Sequence, residues 1–558
     1  MKNSRKFKKV ASLATAALMA ACMAAPITAI QASAATNTIT ITDATAGTHT
    51  YKAYQIFSGT ITENETGSKE LSNPEWATGV TDSTLIAALK ADATIGSLFE
   101  SVDADAKAAA VAKVLNDITS DSAEAKALAD VVAKYFADNS IAETASGETL
   151  TVEDDGYYVI VESGANTEGG TKTRYILSAY DASEGVDIAA KASAPSFQKK
   201  IKDTNDSTNT DGSTNDEWLD SADYDMTDAV PFQLTATLPS TYDDYKTYNL
   251  TFHDDLQSDV FTLDASSIKV YAVTGSESVE ITNQATIVTT GLSTDTTFAS
   301  GKTDGTEDFT VEIADLKKVT GATITSSTKI VVEYNAQLTD KAKIGAEGNW
   351  NSGYLEYSNN PNYSGAGENT PEDDKSKTPE DLVVAFTYQL DVDKTDAKGN
   401  ALEGAGFTLY KKNASGEYVK VGDEITGVTK FSFKGVDAGE YKLVESTVPD
   451  GYNKAADLEF VVNATHEQVD ADAPKLQTLE VVCNEKTVTA SESSDVITGD
   501  IFKVTLSSGL AETKVVNTSG AVLPSTGGMG TTLFYIGGGV LVAGAGVLLI
   551  TKKRTKKD

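Results

Sequence analysis

The sequence predicts a mainly β protein of tandem β-sandwiches, the first of them carrying a helical insertion. Residues 192–365 and 380–520 read as short alternating strands, broken at regular spacing by Gly, Asn and Asp. Residues 83–136 instead hold three alanine- and leucine-rich stretches of helical character. At 558 residues, with 40% hydrophobic and 23% charged side chains, the chain has material for three or four packed domains. It is not disordered throughout.

In chain order, Lys2, Arg5, Lys6, Lys8 and Lys9 open a signal peptide over residues 1–34. An apolar run from Val10 to about Ile30 follows, and Ala32-Ser33-Ala34 suits cleavage after Ala34. Residues 35–190 form a mixed domain. Strands are expected at 37–42 and 51–57, helices near 83–99, 103–118 and 122–136, and a returning strand at 157–162 after the Asp155-Gly156 turn. Residues 191–377 form a middle sandwich. Its Asp- and Asn-rich stretch 203–216 fails the calcium-loop template, because Trp218 stands where a bidentate glutamate belongs, and it reads as a solvated loop. The run 361–378, rich in Pro, Gly, Asp and Lys, reads as a linker or long loop. Residues 378–520 form a second sandwich.

Acids outnumber bases 81 to 46, a net charge of −35. Such a chain repels phosphate, so nucleic acid is excluded as a partner. His49, His253 and His466 lie far apart in sequence and match no metal-ligand spacing, so no metal or cofactor is expected. No Ser-His-Asp or paired-histidine constellation marks a hydrolase. Cys22 leaves with the signal peptide, and Cys483 alone cannot form an internal disulfide.

Near the C-terminus stand Leu523, Pro524, Ser525, Thr526 and Gly527, then an apolar span at 531–550 and a basic tail at 551–558. Twenty apolar residues at about 1.5 Å each match a hydrocarbon core of about 30 Å. The basic tail holds the cytoplasmic side. Together these resemble the LPxTG cell-wall sorting signal of Gram-positive bacteria. The resemblance implies that a sortase cuts between Thr526 and Gly527 and passes the Thr526 carbonyl to an amine. Pro524 fixes a kinked, extended peptide for the enzyme, and Gly527 leaves room at the scissile bond. Losing both ends takes the net charge to −44, a soluble and self-repelling surface.

Strand parity picks out inward polar residues. Leu390, Val392 and Lys394 share one face; so do Tyr441, Leu443 and Glu445, and Val515 and Asn517. A lysine, an acid and an asparagine pointing into one sandwich are costly as separate buried groups but make sense as one reaction centre. Burial favours the neutral amine and the protonated acid, so Lys394 can attack the Asn517 carboxamide, release ammonia and leave an isopeptide bond.

The segments Tyr441-Lys442-Leu443-Val444-Glu445 and Pro449-Asp450-Gly451-Tyr452 resemble the E-box of Gram-positive pilins and collagen-adhesin B-type domains. The resemblance implies Ig-like, collagen-adhesin-type sandwiches. It also implies that Lys394 and Asn517 are the cross-linked pair and Glu445 the promoting acid.

The middle domain repeats the logic. Phe197, Lys199 and Ile201 share a face, as do Leu250, Phe252, Asp254 and Leu256, and Leu355, Tyr357 and Asn359. This selects a Lys199–Asn359 bond with Asp254 as the acid; a bulge would shift the choice to Lys200 or Asn360. The segments 195–200 and 355–361 are similar to the middle domain of shaft pilins. No inward asparagine closes the first domain, and no bond is expected there.

Shaft pilins also carry a Val-x-Val-Tyr-Pro-Lys stretch at the end of the first domain. Val186-Asp187-Ile188-Ala189-Ala190-Lys191 keeps two β-branched positions and the lysine, with alanines replacing Tyr and Pro. The resemblance implies Lys191 as the polymerisation amine; a plain surface lysine is the alternative. The whole implies the major subunit of a cell-wall-anchored surface fimbria, supporting adhesion. Its partners would be identical subunits, pilin-type and housekeeping sortases, peptidoglycan, minor pilins and a host surface ligand. It would not be an enzyme in the turnover sense. A monomeric wall-anchored adhesin binding a host glycan or matrix protein is the rival, and it would have no use for Lys191.

Overall fold

The computed structural model describes residues 38–520, apart from 44, 64–68, 164–168, 204–216, 227, 293, 296–297, 299–305 and 470–471. The signal peptide, the Leu523–Gly527 motif with Thr526, the apolar span and the basic tail lie outside the described residues, as does almost all of the 203–216 stretch. Among the described residues no helix is long and apolar enough to cross a membrane.

In the first domain a central sheet runs in the order Lys69–Trp76, Thr50–Glu63, Gly156–Ser163, Ile176–Tyr180. Its two faces are both used, as period-two alternation allows. Tyr51, Ala53, Tyr158 and Ile160 pack against a small sheet of Thr38–Thr42, Thr149–Thr151 and Val186–Ala189 through Ile39, Ile41 and Leu150. Phe57 and Val159 meet the helical insertion. That insertion holds the helices Asp82–Ala91, Ala108–Leu115 and Ala123–Asp138, which bury Leu85, Leu89, Val111, Leu128, Val132 and Phe136. Ser122 caps the third helix, its hydroxyl accepting the Ala125 N–H at 3.1 Å.

The middle domain is a sandwich of two sheets. One is ordered Trp218–Leu219, Ser196–Lys202, Ala229–Thr237, Lys329–Leu338, Phe261–Thr274, Glu277–Glu280. The other runs Ser221–Asp223, Asp381–Phe386, Asn349–Ser358, Leu250–Leu256, Phe309–Ile313, Thr286–Val288, with Lys375–Lys377 paired to Asn349–Ser358. Here the sequence reading needs correction. The segment expected to be a linker ends in Lys375–Lys377, and Asp381–Phe386, placed by sequence in the next domain, is a strand of the middle sheet. Val383 and Ala385 face that sheet's core, while Val384 and Phe386 face the third domain. The strand serves two cores, so its pattern is apolar from Leu382 on and gives no parity to read.

The third domain packs Lys430–Val436, Tyr388–Asp396, Leu510–Asn517, Phe502–Thr505 and Val496–Thr498 over a second sheet. That sheet is ordered Tyr418–Thr426, Gly406–Lys412, Gly439–Thr447, Leu458–His466, Leu476–Cys483, Lys486–Ser491. The first and last strands, Tyr388–Asp396 and Leu510–Asn517, run parallel side by side.

Candidate cross-linking sites

In the third domain this parallel pairing sets Lys394 opposite Val515 and Asp396 opposite Asn517, so Lys394 and Asn517 lie two rungs apart on neighbouring strands. Glu445 reaches them from the facing sheet. All three side chains are buried. Lys394 Nζ stands 3.9 Å from Glu445 Oε1, which also accepts the Asn517 Nδ2–H at 2.7 Å. Glu445 Oε2 is held by the Ala455 N–H at 2.7 Å. Burial depresses the Lys394 amine below the usual lysine range, against the pull of Glu445. Asn517 Oδ1 has no hydrogen-bond partner among the described residues. One carboxylate oxygen thus lies between the buried amine nitrogen and the carboxamide nitrogen, where it could carry a proton between them.

In the middle domain Lys199 and Asp254 meet between the two sheets, both fully buried and in direct contact. Burial pushes the lysine down and the carboxyl up, each partly offset by the other. The Tyr334 hydroxyl ties the site together. It lies 3.1 Å from Lys199 Nζ, donates to Asp254 at 2.9 Å, and accepts the Asn351 Nδ2–H at 2.7 Å. Asn351 is fully buried, and its Oδ1 has no hydrogen-bond partner among the described residues, as at Asn517.

The structure does not bring Asn359 to this group. Asp254 pairs with Gly353, so Asn359 lies six residues further along, about 20 Å at the strand repeat. Its Nδ2 donates instead to Lys375 O at 2.8 Å and Ser376 Oγ at 2.9 Å. The asparagines here build the junction with the first domain. Asn360 donates to Asp374, Asn362 exchanges hydrogen bonds with Thr173 O and Tyr175 N, and Lys172 N donates to Asn359 O. Lys200, the other lysine considered, points away and pairs with Asp220.

Lys191 follows the strand Val186–Ala189 and is half exposed. Its backbone N–H donates to Thr173 Oγ1 at 2.8 Å, and its ammonium pairs with Asp121, holding that carboxyl below the usual range.

Residues 388–475 match the SpaA family, a prealbumin-like fold domain. Residues 515–557 match the LPXTG cell wall anchor motif. The trypsin-resistant surface T6 protein of Streptococcus pyogenes serotype M6 is 25% identical over 444 residues, covering 71% of this chain and 75% of that protein. The solved T6 backbone pilin of serotype M6 Streptococcus pyogenes is 18% identical, with 88% of this chain and 100% of that one covered at a TM-score of 0.49. The major pilin SpaD of Corynebacterium diphtheriae is 15% identical, with 87% and 98% covered at a TM-score of 0.42.

Two histidines gather carboxylates that sequence spacing could not show. Asp43, His49 and Glu162 converge within 4.8 Å, as do His253, Asp295 and Glu307. In the first group, Glu162 accepts the Thr173 N–H at 2.7 Å and Asp43 accepts the Thr45 N–H at 2.8 Å. His49 Nδ1 lies 2.7 Å from Glu162. Ion pairing and hydrogen bonding account for this group without a metal.

Proposed function

We propose that this chain is the repeating shaft subunit of a covalent cell-surface pilus, anchored to the cell wall through its C-terminal LPXTG motif. Sortase would join Thr526 of one subunit to Lys191 of the next, and peptidoglycan would take the last. Two internal amides would stiffen each subunit: Lys394–Asn517, promoted by Glu445, and Lys199–Asn351, promoted by Asp254. The observation that carries the reading is the buried Lys394–Glu445–Asn517 grouping inside a SpaA-type domain, ahead of a wall-anchor motif.

In each centre the neutral lysine nitrogen attacks the carboxamide carbon. The N–C bond forms as the C–NH2 bond breaks. Ammonia leaves with a proton from the amine, carried by the buried acid. The reaction runs once per site, so the protein is a structural subunit and not a turnover enzyme. For the middle bond Asn351 replaces the expected Asn359, because Asn351 shares the Tyr334 hydroxyl with Lys199.

Intact mass of the mature chain should include two ammonia losses relative to the sequence mass, with mapped peptides joining 199 to 351 and 394 to 517. A mass equal to the sequence mass refutes the internal bonds. Lys191→Arg should abolish sortase-dependent ladders in a pilus-forming host. A monomeric adhesin would give no ladders with either residue.

A further inference from the structure

The third domain holds a second inward lysine that neither centre uses. Phe407, Leu409 and Lys411 share one face of Gly406–Lys412, and Lys411 is only 5% exposed. Its Nζ lies 2.6 Å from Oδ1 of Asp437, which is wholly buried. The Tyr441 hydroxyl donates to that same oxygen at 2.8 Å. Asp223 enters from the middle domain, also buried, and its Oδ2 accepts the Ala438 N–H beside Asp437. Burial and the nearby charge of Asp223 hold the Asp437 carboxyl well above the usual range, against the pull of Lys411.

A buried Asp437 carboxyl with the Asp223 carboxylate close by is costly when charged, which favours its protonated form beside the Lys411 amine. The elements are those of the other centres: a buried amine, an acyl carbon beside it and a second buried acid. The difference is that the acyl group is a carboxylic acid. We propose that Lys411 and Asp437 condense to a third internal amide, with Asp223 as the proton carrier. The Lys411 nitrogen, as the free amine, forms a bond to Cγ of the protonated Asp437. The C–OH bond breaks, and the hydroxyl leaves as water with a proton taken from the amine. No oxidant or other reactant enters. Fixed contact replaces the entropy cost of bringing amine and acid together, and the dry site spares both groups their charged forms. Because Asp223 belongs to the middle domain, the bond forms only where the two domains dock correctly.

The test is mass analysis of the intact mature chain. A loss of one water beyond the ammonia losses is expected, and trypsin after denaturation should yield a joined peptide containing 411 and 437. Asp437→Ala and Asp223→Ala should each restore the water mass while keeping both ammonia losses. This separates the third bond from the asparagine bonds, whose failure would change only the ammonia count. Cleavage after Lys411 in the denatured wild-type chain, with Lys411 open to amine-reactive labelling, overturns the proposal. That wild-type result stands even if the variants do not fold.

Discussion

Replacing Asn351 and Asn359 by alanine, one at a time, tests the assignment of the middle bond. A Lys199–Asn351 amide closes a loop of 152 residues, from 351 minus 199. Chain-entropy reasoning assigns a loop of that size about 5 kcal/mol of stabilisation. For a sandwich of this size, each kcal/mol moves the melting temperature by about 2–4 °C, so a fall of about 10–20 °C is expected. Asn359→Ala loses two hydrogen bonds to the Lys375–Lys377 strand, about 2 kcal/mol, and should lower melting by about 4–8 °C. Calorimetry measures both, and intact mass separates them: Asn351→Ala regains one ammonia, and Asn359→Ala regains none. If Asn359→Ala restores an ammonia, or Asn351→Ala keeps both losses, the argument from strand register is wrong.

Other outcomes follow from the same geometry. Glu445→Ala should regain the third-domain ammonia alone and open that domain to trypsin. Tyr334→Phe keeps the ring but loses the hydroxyl shared by Lys199, Asp254 and Asn351, so bond closure should slow about 100-fold, read as uncross-linked mass in freshly made protein. His49 has its pKa raised: burial opposes the shift, but the hydrogen bond to Glu162 and the charge of Asp43 outweigh it. Its stabilisation is therefore fully present below the unfolded value of 6.5 and lost as pH rises through the higher folded value. First-domain melting should fall with pH over that window, and His49→Gln should flatten the curve. Stretching a subunit between Lys191 and Thr526 should show no unfolding of either cross-linked sandwich. Asn351→Ala should add one event of about 500 Å, the extended length of the freed loop.

Period-two alternation along Tyr388–Asp396, Gly439–Thr447 and Leu510–Asn517 was enough to find Lys394, Glu445 and Asn517, because each side chain points with its apolar neighbours. Lys199 and Asp254 were legible on the same ground. Helices were legible from composition, and Ser122 marked the start of one. The boundary between the second and third domains was not, because Asp381–Phe386 buries both of its faces. Nor were the clusters around His49 and His253, whose members come from distant strands and loops.

Asn359 shows where parity stops. Asn351 and Asn359 are eight residues apart on one strand line, so period two cannot tell them apart. What separates them is level along the strand, fixed by the pairing of Asp254 with Gly353 and of Lys199 with Leu234 in the opposite sheet. Level is a property of partner strands and not of the segment itself. The local sequence even pulls the wrong way. Asparagines cluster at 359, 360 and 362, but the cluster serves the junction: the Asn362 amide satisfies the Thr173 O and Tyr175 N of the first domain, and Asn360 holds Asp374. Asn351 stands among Trp350 and Ser352 with nothing local to mark it. Its distinguishing feature is a carboxamide nitrogen on the hydroxyl that touches Lys199, beside a buried carbonyl oxygen without a partner among the described residues. Asn517 shows the same pair of features at its own acid. That combination is visible only once the sheets are stacked, because it joins residues of different strands.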